Sequence, residues 1–366
     1  MIAGKERITP GQLMILIIQS QIGIGVLFLP SEVEAAVGND AWISVILTGL
    51  AASLFILAIW ALGRRFPNQT LFEYLPRLLG KAAGKTVILF YAAMFILEGS
   101  LLLIQFADVI KDWVFADTPV WVIILLSLAT SYYMAKESLR TISRYLVLTF
   151  GLIFVLIFIS LYAYRNVEIL YILPVNQAGI PKILSGTVKT IDAYYGFEVL
   201  LIAYPFVQGR GKDILKAAMW GNAFSILVYT FLVFTCLIAF TSDELKMIPQ
   251  PVLYMVKSLS FTIFERADLY FLMIWIVVVL TTAVVYLFTA AKAAAALFGI
   301  RKHVKALPWV TLAFLGLTLI PLDQDTIIMI RNAASVLTAA MVLAIPPLLL
   351  AVSYMANIKE KGRAEG

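Results

Sequence analysis

The residues of this chain that could do chemistry are few, and nearly all of them interrupt apolar runs. Glu98 stands between Phe95-Ile96-Leu97 and Gly99-Ser100-Leu101, with no cation in its own run. A charge in such a place is costly and ordinarily faces a bundle interior or water. Glu98 therefore reads as a group that meets a ligand amine or carries a proton. Glu198 follows Tyr194-Tyr195-Gly196-Phe197, where a carboxylate either orients backbone at a helix N-terminus or titrates. Lys189 and Asp192 are three apart on one helical face and read as a self-neutralising pair. Thr282 and Tyr286 are four apart and share a face, with Thr281 beside them. Alone, these hydroxyls read as packing, with threonine bonding its own helix, and Lys292 reads as a snorkelling cation.

Other chemistry is short of parts. The single cysteine, Cys236, and the single histidine, His303, leave no cluster for zinc, no pair for an intrachain disulfide and no Ser/His/Asp set. The chain is expected to be no enzyme, and to need no metal and no cofactor. Its net charge of +6 sits in short loops between apolar runs, which is how membrane topology is encoded, so nucleic acid is not an expected partner.

The elements that must position these residues are membrane helices. Of the 366 residues 62% are apolar and 14% charged, and mean hydropathy is +0.94, whereas a soluble domain is about 45–50% apolar and about 25% charged. Runs long enough to cross a bilayer cover 10–36, 41–63, 85–110, 119–135, 143–163, 186–206, 216–241, 268–297, 307–322 and 328–356, which makes ten spans. The stretch 242–267 is expected to be an external loop holding a short interfacial helix over Val252 to Phe264. Met1 to Pro10 has charges but no short apolar region ending in a small-residue cleavage site, so the first span is expected to be retained. Arg64, Arg65, Arg77, Lys81 and Lys85, then Arg301, Lys302 and Lys305, fall on one alternating set of loops, while the first opposite loop has Glu32, Glu34 and Asp40 and no cation. The positive-inside rule then puts both termini in the cytoplasm. The expected fold is all-α, one membrane domain of two five-span halves, 1–178 and 179–356, with a free tail at 357–366 too short to fold.

Two spans are interrupted. Thr9 and Pro10 open the first as N-cap and first helical residue, but Gly23-Ile24-Gly25 and Pro30 weaken its centre. The sixth meets Tyr194-Tyr195-Gly196-Phe197-Glu198 at comparable depth and ends at Pro205. Five spans per half is odd, so the halves have opposite topology. Interrupted spans at matching positions of inverted halves point to a solute site, because broken helices free backbone groups for a ligand. The half-helix starting near Gly25 and Val26 offers N–H groups to a carboxylate, and the one ending near Tyr195 offers carbonyls to an ammonium. An amino acid fits that geometry.

Thr9-Pro10-Gly11-Gln12, Gly23-Ile24-Gly25-Val26-Leu27-Phe28-Leu29-Pro30, Leu71-Phe72-Glu73-Tyr74-Leu75 and Gly196-Phe197-Glu198, in this order and spacing, resemble the endospore germination permease family. So do the span count and the stretch Trp275 through Tyr286. These are the B subunits of GerA-type germinant receptors, a branch of the amino acid/polyamine/organocation superfamily. The resemblance implies a LeuT-type inverted-repeat fold and residence in the inner membrane of a dormant bacterial spore, in contact with membrane lipid. It also implies recognition of a small germinant alongside an A subunit and a lipoprotein C subunit. It places the ligand between spans one, three, six and eight, at Gly23, Gly25, Glu98, Tyr195, Thr282 and Tyr286; Val26 and Gly196, at the two breaks, complete the expected ligand site. Glu98, Glu198, Thr281 and Thr282 are the candidates for a proton or ion site, the threonine pair resembling the hydroxyl side of a sodium site. Germinant sensing is the leading reading. An active amino acid transporter, coupled to protons or sodium, is the alternative supported by the chemistry alone, and a water or ion channel is the third.

Overall fold

The first helix begins where its sequence demands. The Thr9 hydroxyl accepts from the Gln12 amide at 3.2 Å and the Gln12 side chain accepts from the Thr9 amide at 2.9 Å, a reciprocal cap ahead of Pro10. A computed structural model describes residues 6–165, 167–174, 178–259, 266–320 and 323–360. Helix α1 (Pro10–Gln21) stops at an extended Ile22, and the chain restarts as α2 (Gly25–Val37). Then follow α3 (Ala41–Arg65), α4 (Leu71–Leu79), α5 (Lys81–Trp113), α6 (Val120–Ala135) and α7 (Leu139–Leu161). Helix α8 (Gly179–Tyr194) breaks at Tyr195-Gly196 before short turns and α9 (Leu200–Ala203) carry the chain to Phe206. The rest is α10 (Gly211–Ala239), α11 (Ser242–Met247), α12 (Pro251–Lys257), α13 (Ala267–Leu297), α14 (His303–Thr318), α15 (Gln324–Ala339) and α16 (Ile345–Met355).

The described residues are helical apart from loops and one isolated bridge between Ile8 and Val207. Among the described residues, six helical stretches are long and apolar enough to cross a membrane: Gly25–Arg65, Lys81–Trp113, Leu139–Arg165, Gly211–Ala239, Ala267–Leu297 and Asp325–Met355. The expected spans missing from that set are shorter or broken. α6 and α14 have 16 residues each, about 24 Å of helix against a hydrocarbon core of about 30 Å. The first and sixth spans are each split in two.

Helix α13 is the central post. Trp275, Phe271 and Leu287 are fully buried on it, and it packs against α5, α14, α6 and α7. Helix α1 lies between α10, α7 and α13, while α3 supports α8 and α10. Both described chain ends lie at one end of the bundle. The Ile8 amide donates to the Phe206 carbonyl at 2.9 Å, and the Glu360 amide donates to the Arg65 carbonyl at 2.9 Å. Trp60, on the same helix as Arg65, donates to the Gly211 carbonyl at 2.6 Å.

Two segments differ from expectation. The stretch after α10, expected to hold one short helix over Val252 to Phe264, forms two among the described residues. These are α11 and α12, and Val252, Leu253, Met255 and Val256 of α12 are buried against the protein, with α2 and α13 its main neighbours. Ser31 of α2 donates to the Pro249 carbonyl at 3.3 Å, and Trp113 to Gln250 at 3.4 Å, so this segment is tied to α2 and α5. Residues 260–264 of that expected helix lie outside the described residues. The tail, expected to be free, is held as far as it is described: Arg65 donates to the carbonyls of Ser353 (2.6 Å) and Ile358 (3.3 Å), and Glu360 accepts from the Asn68 amide at 3.0 Å.

Candidate functional site

The two helix breaks face each other and are stitched together by polar side chains from inside the bundle. Gln21, the last residue of α1, donates to the Tyr194 carbonyl at 2.8 Å and to Asn222 at 3.0 Å, and accepts from Ser225 at 2.8 Å. The Tyr229 hydroxyl donates to the Gln21 carbonyl at 2.5 Å, so α10 holds the end of α1 from below the break. Broken helices expose carbonyls that no intrahelical amide reaches, and here side chains meet them. One residue pair earlier, Gln19 donates to the Leu146 carbonyl at 3.1 Å and to Thr149 at 3.0 Å. Its amide oxygen accepts from Thr281 at 2.7 Å and its backbone carbonyl from Thr282 at 2.8 Å.

Gly196 has φ +125°, and a methyl group there would come within 2.5 Å of the Ser20 carbonyl. Only glycine lets α1 and the second break approach so closely. The Gly196 amide donates to Glu198 at 2.6 Å, and Glu198 is buried, so this carboxylate orients the broken backbone.

Between the breaks lies a cavity of about 150 Å³. Gly23, Gly25, Glu98, Tyr195, Thr282 and Tyr286 all line it. The structure thus brings together six of the residues expected at the site, from α1–α2, α5, α8 and α13. Gly196 and Glu198 line a smaller adjoining void of about 10 Å³, which also touches Ser20, Thr282 and Tyr286. That is the room of about one water molecule. Val26 and Thr281 line neither space: Val26 is buried in packing, and Thr281 is occupied by Gln19. Gly25 is not sterically required, since a methyl there would meet Ala193 at an ordinary 3.5 Å.

Sequence reasoning missed a whole wall. Helix α15 contributes Arg331 and Ser335 to the cavity, and Glu32, Gln105 and Asp192 join them. Glu98 accepts from Thr338 of α15 at 2.6 Å, and Asp192 accepts from Ser335 at 2.8 Å. Lys189 is exposed and forms no close ion pair with Asp192 among the described residues, although its charge still acts on that carboxylate; Asp192 also lines the cavity, which the pairing alone did not suggest. Arg331 lies 3.6 Å from Glu32, each about half exposed, at the cavity mouth. The available signal was the set 331, 335 and 338, polar positions on one face of a helix within a mainly apolar run. The Tyr195 hydroxyl is buried with no hydrogen-bond partner among the described residues.

Comparison with known proteins decides the family. A family model described as "Spore germination protein", the spore permease family, matches residues 7–327. The chain belongs to this family. Among similar spore germination proteins, GerQB of Bacillus cereus is 27% identical over 273 residues, covering 74% of this chain and 75% of its own length. YndE of Bacillus subtilis (strain 168) is 25% identical over 365 residues, 99% of this chain and 100% of that one. Spore germination protein A2 of the same strain is 26% identical over 292 residues, 78% and 79% of the two chains. Among solved structures, MhsT in complex with L-phenylalanine superposes with a TM-score of 0.68 at 14% identity, covering 95% of this chain and 98% of that one. The nucleobase-cation-symport-1 family transporter Mhp1, with bromovinylhydantoin bound, gives 0.67 at 12% identity, covering 96% and 79%. This spore permease is therefore a helical membrane protein that shares its fold with transporters, and its relatives are germination proteins.

Proposed function

We propose that this spore permease is the germinant-sensing B subunit of a receptor, binding a small germinant, an amino acid, in the cavity between its two broken helices. In this reading the ten apolar runs form two inverted five-span halves with both ends in the cytoplasm, in the inner membrane of the spore. An A subunit and a lipoprotein C subunit convert binding into germination. The observation that carries the reading is the cavity itself, set where α1–α2 and α8 are interrupted. An amino acid carboxylate is suited to the first N–H groups of α2 at Gly25, which have no intrahelical acceptor. L-phenylalanine in the complex with MhsT gives an amino acid precedent for the fold. Ligand closure of the half-bundles would bias any partner touching them by its differential affinity for the two states.

Direct binding of a panel of amino acids, sugars and nucleosides to the purified protein tests this. An amino acid is expected to bind the isolated chain, while the germination response needs the A and C partners. Binding of a sugar or nucleoside alone would remove the amino acid. Active transport is the second reading, favoured by the fold shared with transporters. Concentrative uptake of a germinant into vesicles holding this chain alone would support it over sensing.

A further inference from the structure

The charges lining the cavity do not balance. Glu32, Glu98 and Asp192 face it with one guanidinium, that of Arg331. Arg331 stands by Glu32 at the mouth. Glu98 and Asp192 form no ion pair among the described residues; the partners they have are the hydroxyls of Thr338 and Ser335. Those two residues are three apart on α15, neighbours on one face with about 5–6 Å between their Cβ atoms. One helix therefore holds two carboxylates side by side along the cavity wall. Each carboxylate has room for about four hydrogen bonds and receives far fewer.

A second observation points the same way. Tyr195 lines the cavity, is 3% exposed, and its hydroxyl lacks a partner among the described residues. A phenol oxygen can accept from an ammonium as well as donate to a carboxylate. Asp192 is open to water and Glu98 is partly buried; closure of the cavity would shut both away without a counterion, and a ligand that carries the missing cations relieves that cost.

We infer that the ligand is a dibasic amino acid, an inference that rests on the amino acid reading above. Its carboxylate meets the N-terminus of α2 at Gly25, and its two ammonium groups meet Asp192 and Glu98. A neutral amino acid leaves one of these carboxylates without a counterion when the cavity closes.

The test compares L-lysine with L-norleucine, which has the same carbon chain without the second ammonium. Binding of each is measured on the full-length protein in lipid nanodiscs. Lysine is expected to bind tighter by about tenfold or more, the scale of one charge-assisted hydrogen bond. Of Glu98→Gln and Asp192→Asn, the one that removes the carboxylate at the side-chain ammonium should draw the ratio towards one with norleucine affinity little changed, and the other should weaken both ligands alike; two variants that leave both affinities unchanged would overturn the proposal. Should one variant fail to fold, the wild-type ratio and the other variant still decide. Norleucine binding as tightly as lysine would overturn the dibasic class and leave amino acid sensing standing. Failure of lysine, norleucine and alanine alike to bind would overturn both. Lysine preference together with concentrative lysine uptake would keep the ligand class and remove sensing.

Discussion

Gly196 and Gly25 are both glycines at a helix break, yet their substitution should have opposite outcomes. Gly196 sits at φ +125° against the Ser20 carbonyl. The backbone conformation alone makes Gly196→Ala cost about 1–3 kcal/mol, before α1 is pushed away. A clear fall in the melting temperature of the purified protein is expected, with loss of ligand binding. Gly25→Ala should melt at almost the wild-type temperature, because its methyl meets Ala193 at 3.5 Å. Equal melting of the two variants would show that the approach of α1 to the second break is not tight. The sequence made the glycines visible as breaks, but not which of them is sterically locked. That depends on what the other half of the molecule brings to 2.5 Å or to 3.5 Å. For the same reason Gln19 and Gln21 went unremarked: an amide in an apolar run signals a buried partner, and only the packing of α7, α10 and α13 says which.

At the level of elements, local rules were legible and tertiary ones were not. The Thr9–Gln12 cap, the interruption at Gly23–Gly25 and the break at Tyr195-Gly196 all stand where residue types put them. The wall supplied by α15 did not, because its polar residues are spread over a turn or more and gain meaning only when three other helices face them. Nor did the apolar side of Pro251–Lys257, whose burial against α2 and α13 cannot be told from insertion into lipid by pattern alone. Its neighbour α11 does carry a testable local signature. Thr241 and Glu244 cap it reciprocally, with Glu244 accepting from the Thr241 amide and hydroxyl at 2.8 Å each. Those bonds, the backbone one foremost, hold the Glu244 carboxyl below its usual range. A depressed carboxyl stabilises the fold above its unfolded value of about 4.3, and that contribution is lost as pH falls through the lower folded value. Protection factors of the amides across 242–247, corrected for the intrinsic pH dependence of exchange, should therefore fall selectively on acidification over that window. Glu244→Gln should flatten the response; an unchanged pH profile in that variant would exclude the cap as its origin.

For the whole molecule, the wide turn that interrupts the last long helix sets how the cavity can change. Residues Ala340–Ala344 make a π-helical turn between α15 and α16, followed at once by Pro346 and Pro347. Such turns are natural places for a helix to bend. Above it, α15 touches α2 through Arg331, α8 through Ser335 and α5 through Thr338; below it, α16 rests on α3. The upper segment is a lever with its fulcrum at the wide turn, and its three clasps ride on one rigid rod. A tilt at the fulcrum would carry all three away together, so opening is expected to be a step between two positions and not a gradual slackening. The lone cysteine is buried, which leaves Leu125→Cys and Ile328→Cys, both exposed, as clean sites for spin labels. Distances between them should fall into two discrete populations. Ser335→Ala should alter the proportion of each without adding a third, and a broad continuous distribution would mean that the clasps let go one at a time.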